Sequence, residues 1–401
     1  MLRRISTPRL LIWILAVVAA IAAATAVTAL AVDSGPTPPP RPLAQAIHDS
    51  LSNGAPEGLS ADVTFTDSLV SSTSVGNSDG SGLGGSSPLL TGASGRLWIA
   101  GGQARLELQA TNGDTEIVVS HGKAMLEDVA TNTVYEATLP TTGASGGQGT
   151  QTDHAVPSVA SIENALTKLM GAVDLGGAVP TDIGGVAAYT VRITPKHPAG
   201  LLGAAEIGFD ALHGIPLDVA IYAAGNSTPV LALSASAVSF GPVDPGVFAL
   251  APPPGAHIVQ IAGPQSSSAQ GATARPTVTA NGFDAVRAAL PFPLDAPATL
   301  GGLPRGRVSM IGSSGRRAAL ALYGSGLAAV AVVETTASSS SQAPHGGGPL
   351  GSLPSVQVNG ARASELQTAL GTLVEFSRDG VQYVIGGLVP ASTVESVARG
   401  L

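Results

Sequence analysis

The residue patterns in this chain that could carry chemistry are few, and most sit in the wrong context. Gly80, Gly82 and Gly85 satisfy the G-x-G-x-x-G spacing of a dinucleotide loop. That loop needs a strand before it and a helix after it, and here a Ser/Gly run surrounds the glycines. Gly143-Ala144-Ser145-Gly146-Gly147 fits the G-x-S-x-G pattern, which requires a sharp strand-to-helix turn, and it too lies in a low-complexity stretch. The seven histidines, His48, His121, His154, His197, His213, His257 and His345, include no pair at helical i,i+4 spacing and no H-E-x-x-H context. Glu127 and Asp128 are adjacent on an expected strand and so point to opposite faces, which separates them as an acid–base pair. The chain has no cysteine, which removes disulfides, thiolate metal sites, cysteine nucleophiles and a lipobox. The expectation is a binding protein, not an enzyme, with no metal and no cofactor.

What remains is apolar surface. The candidate ligand-binding residues are Phe65, Leu97, Ile99, Leu106, Leu108, Ile117, Val119, Tyr189, Val191, Ile193, Ile207 and Phe209 from strands, with Ile162, Leu166 and Met170 from one helix. Each taken singly reads equally well as core. As a set they line a broad sheet with modest side chains, and such a sheet leaves volume that suits an acyl chain, each buried methylene contributing roughly 0.8 kcal/mol.

The elements that must hold these residues follow from periodicity. Leu43, Ile47 and Leu51 recur at helical spacing after Pro42, and Gly54 ends that helix. Period-two alternation then dominates. Val63 and Phe65, Leu106 and Leu108, Tyr189, Val191 and Ile193, and Ile207 and Phe209 each alternate with polar residues, and a last strand runs from about Val230 to Phe240. Asn112-Gly113, His121-Gly122 and His213-Gly214 supply tight turns between them. Sequential hairpins imply an antiparallel sheet of about ten strands with one apolar face, and so many strands curl or split. One helix, with Val159, Ile162, Leu166 and Leu169/Met170 on one side, is placed to cover that face either as a fixed cap or as a lid.

Residues 43–257 hold this sheet. The segment 258–275 is a linker, and 276–401 reads as a small α+β domain, with helices around Val286 and around Leu366–Leu370, a hairpin across Asp379-Gly380 and a final helix after Pro390. Ser71–Ser87, Thr141–Thr152, Gln265–Ala274 and Ser338–Gly351 are low-complexity runs.

At the start of the chain, Arg3, Arg4 and Arg9 precede the uncharged run Leu10–Val32, within residues 1–32 that read as a membrane anchor or as a signal peptide ending at Ala29–Ala31. In either case the body after Asp33 lies outside the cytoplasm: tethered to the cell membrane by a single span, or secreted if cut after Ala31. Residues 33–42, rich in proline, read as a stiff spacer. The net charge is −8 with 3% aromatic residues, an acidic balance that argues against nucleic acid as a partner.

Ser94–Leu108, Leu126–Pro140 and Ala187–Lys196 resemble the strands of LolA-like lipoprotein-carrier domains, and Val238–Ala256 is similar to the strand, Phe and Pro-Pro-Gly ending of those domains. The resemblance spans about residues 43–257. It implies an α+β fold, a strongly curved antiparallel half-barrel covered by helices, holding a lipid, acyl chain or lipidated protein in an apolar cavity. Relatives include RseB/MucB-like regulators that dock an extracytoplasmic signalling protein, which is the alternative reading. An anchor and an added C-terminal domain depart from a freely shuttling carrier.

Overall fold

The structure is a computed structural model. It describes residues 35–69, 92–111, 113–129, 132–139, 156–197, 200–249, 251–261, 277–313, 316–337 and 354–401. The apolar run Leu10–Val32, the four Ser/Gly-rich runs, both glycine motifs, Asn112, His154 and His345 lie outside these residues. No helix among the described residues is long and apolar enough to cross a membrane.

The fold is α+β, with a large curved antiparallel sheet, a second sheet and few helices. The first sheet contains β1 (Leu59–Asp67), β2 (Ala93–Ala100), β3 (Gln103–Ala110), β4 (Gly113–Ser120), β5 (Lys123–Asp128), β6 (Thr133–Thr138), β7 (Val173–Leu175), β8 (Val179–Ile183), β9 (Val186–Pro195), β10 (Leu202–Asp210), β11 (Pro216–Ala223), β12 (Leu231–Phe240) and β13 (His257–Ile261). Its order is β13-β6-β5-β4-β3-β2-β1-β12-β11-β10-β9-β7, with β8 paired to the other half of β9's free edge. The two meanders, β1–β6 and β9–β12, are therefore joined by β1 against β12. The strands β7, β8 and β13 carry little alternation in the sequence and escape a period-two reading; β13 joins the edge in parallel to β6. At Gly95 on β2, a Cβ would stand 1.7 Å from the Glu107 carbonyl oxygen, so β3 approaches closer than any side chain allows. His121 and Gly122 both take positive φ in the β4–β5 turn, as a tight hairpin requires.

Helix α1 (Leu43–Ser52) lies on the apolar face of β9 and β10, where Leu43, Ala46 and Ile47 pack with Tyr189, Val191, Ile207 and Phe209. Its buried residues are Ala44, Ala46 and Ser50, whereas Leu51 is turned outward. The proline-rich stretch before it is not a free spacer from Gly35 onward. Pro38 is buried, and the Tyr189 hydroxyl donates to the Pro39 carbonyl at 2.7 Å. On the opposite face the chain returns through a 3-10 turn at Pro245–Phe248. Arg105 pairs with Glu107 and with Glu116 at 2.8 Å and donates to the Val247 carbonyl at 3.0 Å, pinning that return.

The second sheet contains β14 (Thr277–Asn281), β15 (Thr299–Leu300), β16 (Leu303–Ser313), β17 (Arg316–Tyr323), β18 (Val330–Thr336), β19 (Ser355–Val358), β20 (Ala361–Thr368), β21 (Gly371–Arg378) and β22 (Val381–Gly387). The expected helix around Leu366–Leu370 is instead strand β20 and its turn. Ala363, Glu365 and Gln367 alternate with Ser364 and Leu366 against β21, and the pairing on both sides overrides the local helical spacing. The expected helix near Val286 is α3 (Phe283–Ala289) and the final one is α4 (Ala391–Arg399), both packed on one face. Across that face Met310, Ala319, Glu334, Tyr383, Phe376 and Ala363 form one cross-strand row, so a carboxylate sits inside an apolar core. Among the described residues, two main-chain hydrogen bonds cross between the domains: Leu201 N–H to the Leu388 carbonyl at 2.7 Å, and Ala369 N–H to the Leu69 carbonyl at 2.8 Å.

Candidate functional site

The strand residues singled out from the sequence fall on one face of the first sheet but into separate clusters. Phe65, Leu106, Leu108 and Ile117 are buried together with half-buried Leu97 and Val119, filling the β1–β6 half. Leu97 and Ile99 also border a second cluster with Leu59 and Ala61. Tyr189, Val191, Ile207 and Phe209 meet helix α1, with the Tyr189 and Phe209 rings 5.8 Å apart. The three from the second helix are not brought to this face in the way the sequence suggests. Helix α2 (Val159–Leu169) packs against α1, and the Pro157 carbonyl lies 2.9 Å from His48 Nδ1. Ile162 is buried and Leu166 half-buried, but neither joins the described inner-face clusters, and Met170 is 39% exposed. The tether on its C-terminal side is also shorter than Gly176-Gly177 implies. Strand β7 pairs with β9 only three residues after Met170, and the link between is itself tied down: the Gly171 and Ala172 N–H groups donate to the Lys168 and Leu169 carbonyls, and the Ala172 carbonyl accepts from the Lys196 N–H.

The register shows what the sequence list missed. Val191, Ile207, Val219, Leu233, Phe65 and Ala93 lie opposite one another on six consecutive strands and form an apolar row across the face. One step along, Leu175, Ile193, Ala205, Ile221 and Leu231 form a parallel row, ending at Asp67. All five apolar members of the second row are half-buried, so the described chain leaves their tips accessible. This row borders the junction, because Leu69 and Leu201 carry the hydrogen bonds to the second domain. Burial pushes the Asp67 carboxyl above its ordinary range, although the Leu69 N–H it accepts works the other way. The row was legible only once strand pairing was known: Ile193 was on the sequence list, whereas Leu175, Ala205, Ile221 and Leu231 acquire meaning from the register.

Beyond the junction, the outer face of the second sheet carries an open apolar groove of about 430 Å³, lined among others by Ala331, Val333, Leu366, Leu373, Val384 and Leu388. Gly386 forms part of its floor, because a Cβ there would meet the Leu373 side chain at 2.8 Å. The groove includes Thr368 and Leu388, next to the same interdomain bonds.

Several charged groups of the first sheet lie on its other face. Arg192 pairs with Glu206 and stacks 4.8 Å from the centre of the Tyr222 ring, whose hydroxyl donates to Glu206 at 3.2 Å. Burial raises the Asp218 carboxyl to about 7 against the opposing Ser234 hydrogen bond. Among the described residues, no three His, Cys, Asp or Glu side chains are grouped as metal ligands.

No family model and no curated protein matches the chain. Among solved structures it is similar to the Pseudomonas aeruginosa MucA/MucB complex, at 16% identity and a TM-score of 0.38 over 89% of this chain and 95% of that one. It is similar to an uncharacterized conserved protein from Thermus thermophilus, at 11% identity and a TM-score of 0.33 over 54% of this chain and 99% of that one. An outer membrane lipoprotein-sorting protein domain from Vibrio parahaemolyticus aligns at 12% identity and a TM-score of 0.16, over 51% of this chain and 94% of that one.

Proposed function

We propose that this chain is an extracytoplasmic binding protein, held to the membrane by residues 10–32, that seats an acyl chain of a lipid or lipidated protein on the inner face of its first sheet. The observation that carries this reading is the half-exposed row Leu175, Ile193, Ala205, Ile221 and Leu231 beside the fully apolar row behind it. An apolar chain laid along these strands meets hydrocarbon and no competing charge except Asp67 at one end, and its burial is favoured by roughly 25 cal/mol per Å². The small Ala205 in mid-row leaves depth there. Catalysis has no assigned groups in this reading; binding alone is proposed. Native mass spectrometry of the chain transferred to a lipid-free amphipathic polymer and stripped of free lipid is expected to show a co-purifying acyl species, lost in Ile193→Asp. Retention of the same species by that variant would refute the assignment of the row.

A second reading has its own observation. The groove on the second sheet is apolar and continuous with the interdomain contact, which suits an extended protein segment such as the extracytoplasmic part of a signalling partner. Leu373→Trp fills that groove without touching the first sheet, so the variant is expected to lose a protein partner while keeping the lipid.

A further inference from the structure

We infer that the end of the first domain where Gly35 enters the fold lies against the bilayer that holds residues 10–32, with Leu51 and Leu212 immersed in its outer leaflet. The inference rests on the retained span of the proposed function and is independent of what the inner face binds.

The argument begins with chain length. The uncharged run Leu10–Val32 has 23 residues, and about 20 apolar residues suffice to cross a hydrocarbon core of about 30 Å. Only Asp33 and Ser34 separate it from Gly35. Two extended residues reach at most about 7 Å, which is the depth of one headgroup layer. Gly35 is not itself free to move away from the domain. It lies so close to β8 that a Cβ would stand 2.2 Å from Asp182 Oδ2, and Pro38 and Pro39 are docked immediately after it. The folded body therefore starts at headgroup depth.

The register identifies which surface faces the lipid. Asp182 pairs with Ala187, and the Ala187 carbonyl accepts the Ala211 N–H at 2.8 Å. The next residue, Leu212, is 53% exposed, and its carbonyl accepts from Asn53 Nδ2 at 2.9 Å. Leu51 is 41% exposed and reaches to the adjoining Gly214. Gly35, Leu51 and Leu212 thus share one end of the domain. Three carboxylates there point into the protein: Asp49 pairs with Arg41 and Gln45, Asp182 accepts the Gly185 N–H with Oδ1 while its buried Oδ2 faces Gly35 without a hydrogen bond, and buried Asp210 accepts the N–H groups of Leu212 and His213. Two exposed leucines beside a membrane exit, with the nearby acids turned to the protein, match a shallow interfacial contact. Ile193 lies six residues along β9 from Ala187, about 20 Å away along the strand, so the half-exposed row is toward the other end of that strand.

The cysteine-free chain makes the test direct. Single cysteines are introduced as L51C and L212C, and as controls V129C, at a valine 51% exposed, and D379C in the second domain. Each is labelled with an environment-sensitive fluorophore, and the full chain is placed in phosphatidylcholine vesicles with and without acyl-brominated lipid. Labels at 51 and 212 are expected to shift to the blue and to lose emission with brominated lipid, while those at 129 and 379 do neither. An intact, vesicle-bound chain whose labels at 51 and 212 behave like that at 129 overturns the inference and leaves the tether standing. A chain recovered without residues up to Ala31 and free of vesicles overturns the tether and the inference together.

Discussion

Replacing Glu334 by glutamine is expected to stabilise the second domain at neutral and alkaline pH and to have little effect near pH 4. Glu334 is fully buried in the row between Ala319 and Tyr383, accepts the Asp295 N–H at 3.0 Å with one carboxyl oxygen, and has no partner for the other. Burial, with the nearby Asp295 carboxylate adding to it, raises its carboxyl from 4.5 to about 7. Arg378 and Arg305 face the same region but hydrogen-bond to Asp295 and to the Ala296 carbonyl respectively. Between about pH 4.5 and pH 7 the folded chain holds a proton that the unfolded chain has lost, so stability falls as pH rises through that window and the loss is complete above it. A shift of this size corresponds to about 3 kcal/mol at about 1.4 kcal/mol per unit, and to roughly 10 °C in the melting of a domain of this length. Glutamine keeps the volume and the acceptor for Asp295 without the charge. Both tryptophans, Trp13 and Trp98, lie outside this domain, so the assay is amide exchange of β18 and β22 in the full chain, variant against parent at pH 5 and pH 8. The raised Asp218 carboxyl acts in the same direction in the first domain but cancels in that comparison. A variant whose protection relative to the parent is the same at both pH values would refute the reasoning.

Gly95→Ala should prevent β2 and β3 from closing on each other and cost several kcal/mol, more than the usual range for a surface strand, because the obstruction is the Glu107 backbone; urea unfolding followed by Trp98 fluorescence reads this directly. Tyr189→Phe removes the hydroxyl that holds the Pro39 carbonyl and is expected to cost about 1 kcal/mol in the same unfolding assay. It should also make the bonds before Leu43 more open to a protease, and unchanged cleavage there would show that Gly35–Pro42 is held by other contacts.

Much of the architecture was readable from alternation. Val63 and Phe65, and Leu106 and Leu108, sit on strands with one buried face and one wetter one, and Tyr189 to Ile193 sit on the strand their spacing indicates although Ala188 to Val191 are buried in succession. Alternation fails where strands are short, as at β7 with its three residues, whereas at β11 the spacing of Leu217, Val219 and Ile221 marks the strand even though Leu217, Asp218, Val219 and Ala220 are buried in succession. It fails again at Leu366–Leu370, where a helical spacing lies in the end of a strand paired with β21 and in the turn between them. The candidate site was legible as a set of residues but not as a surface, since exposure depends on register. Nothing local in Leu175 or Leu231 says that they line up through Ile193, Ala205 and Ile221. The outward turn of Met170 was equally hidden, because it follows from α2 choosing α1 as its support.

The joint between the domains is made from groups that every residue except proline possesses. Leu201 and Ala369 contribute amide hydrogens, Leu388 and Leu69 contribute carbonyls, and the close approach at Gly200, where a Cβ would stand 2.4 Å from the Leu388 oxygen, is the point where side-chain size intrudes. A change of side chain at Leu201 or Ala369 keeps the amide hydrogen that each supplies, while a proline at either position would remove it and cut that link. Part of what holds the halves together is thus indifferent to the identity of the side chains that flank it.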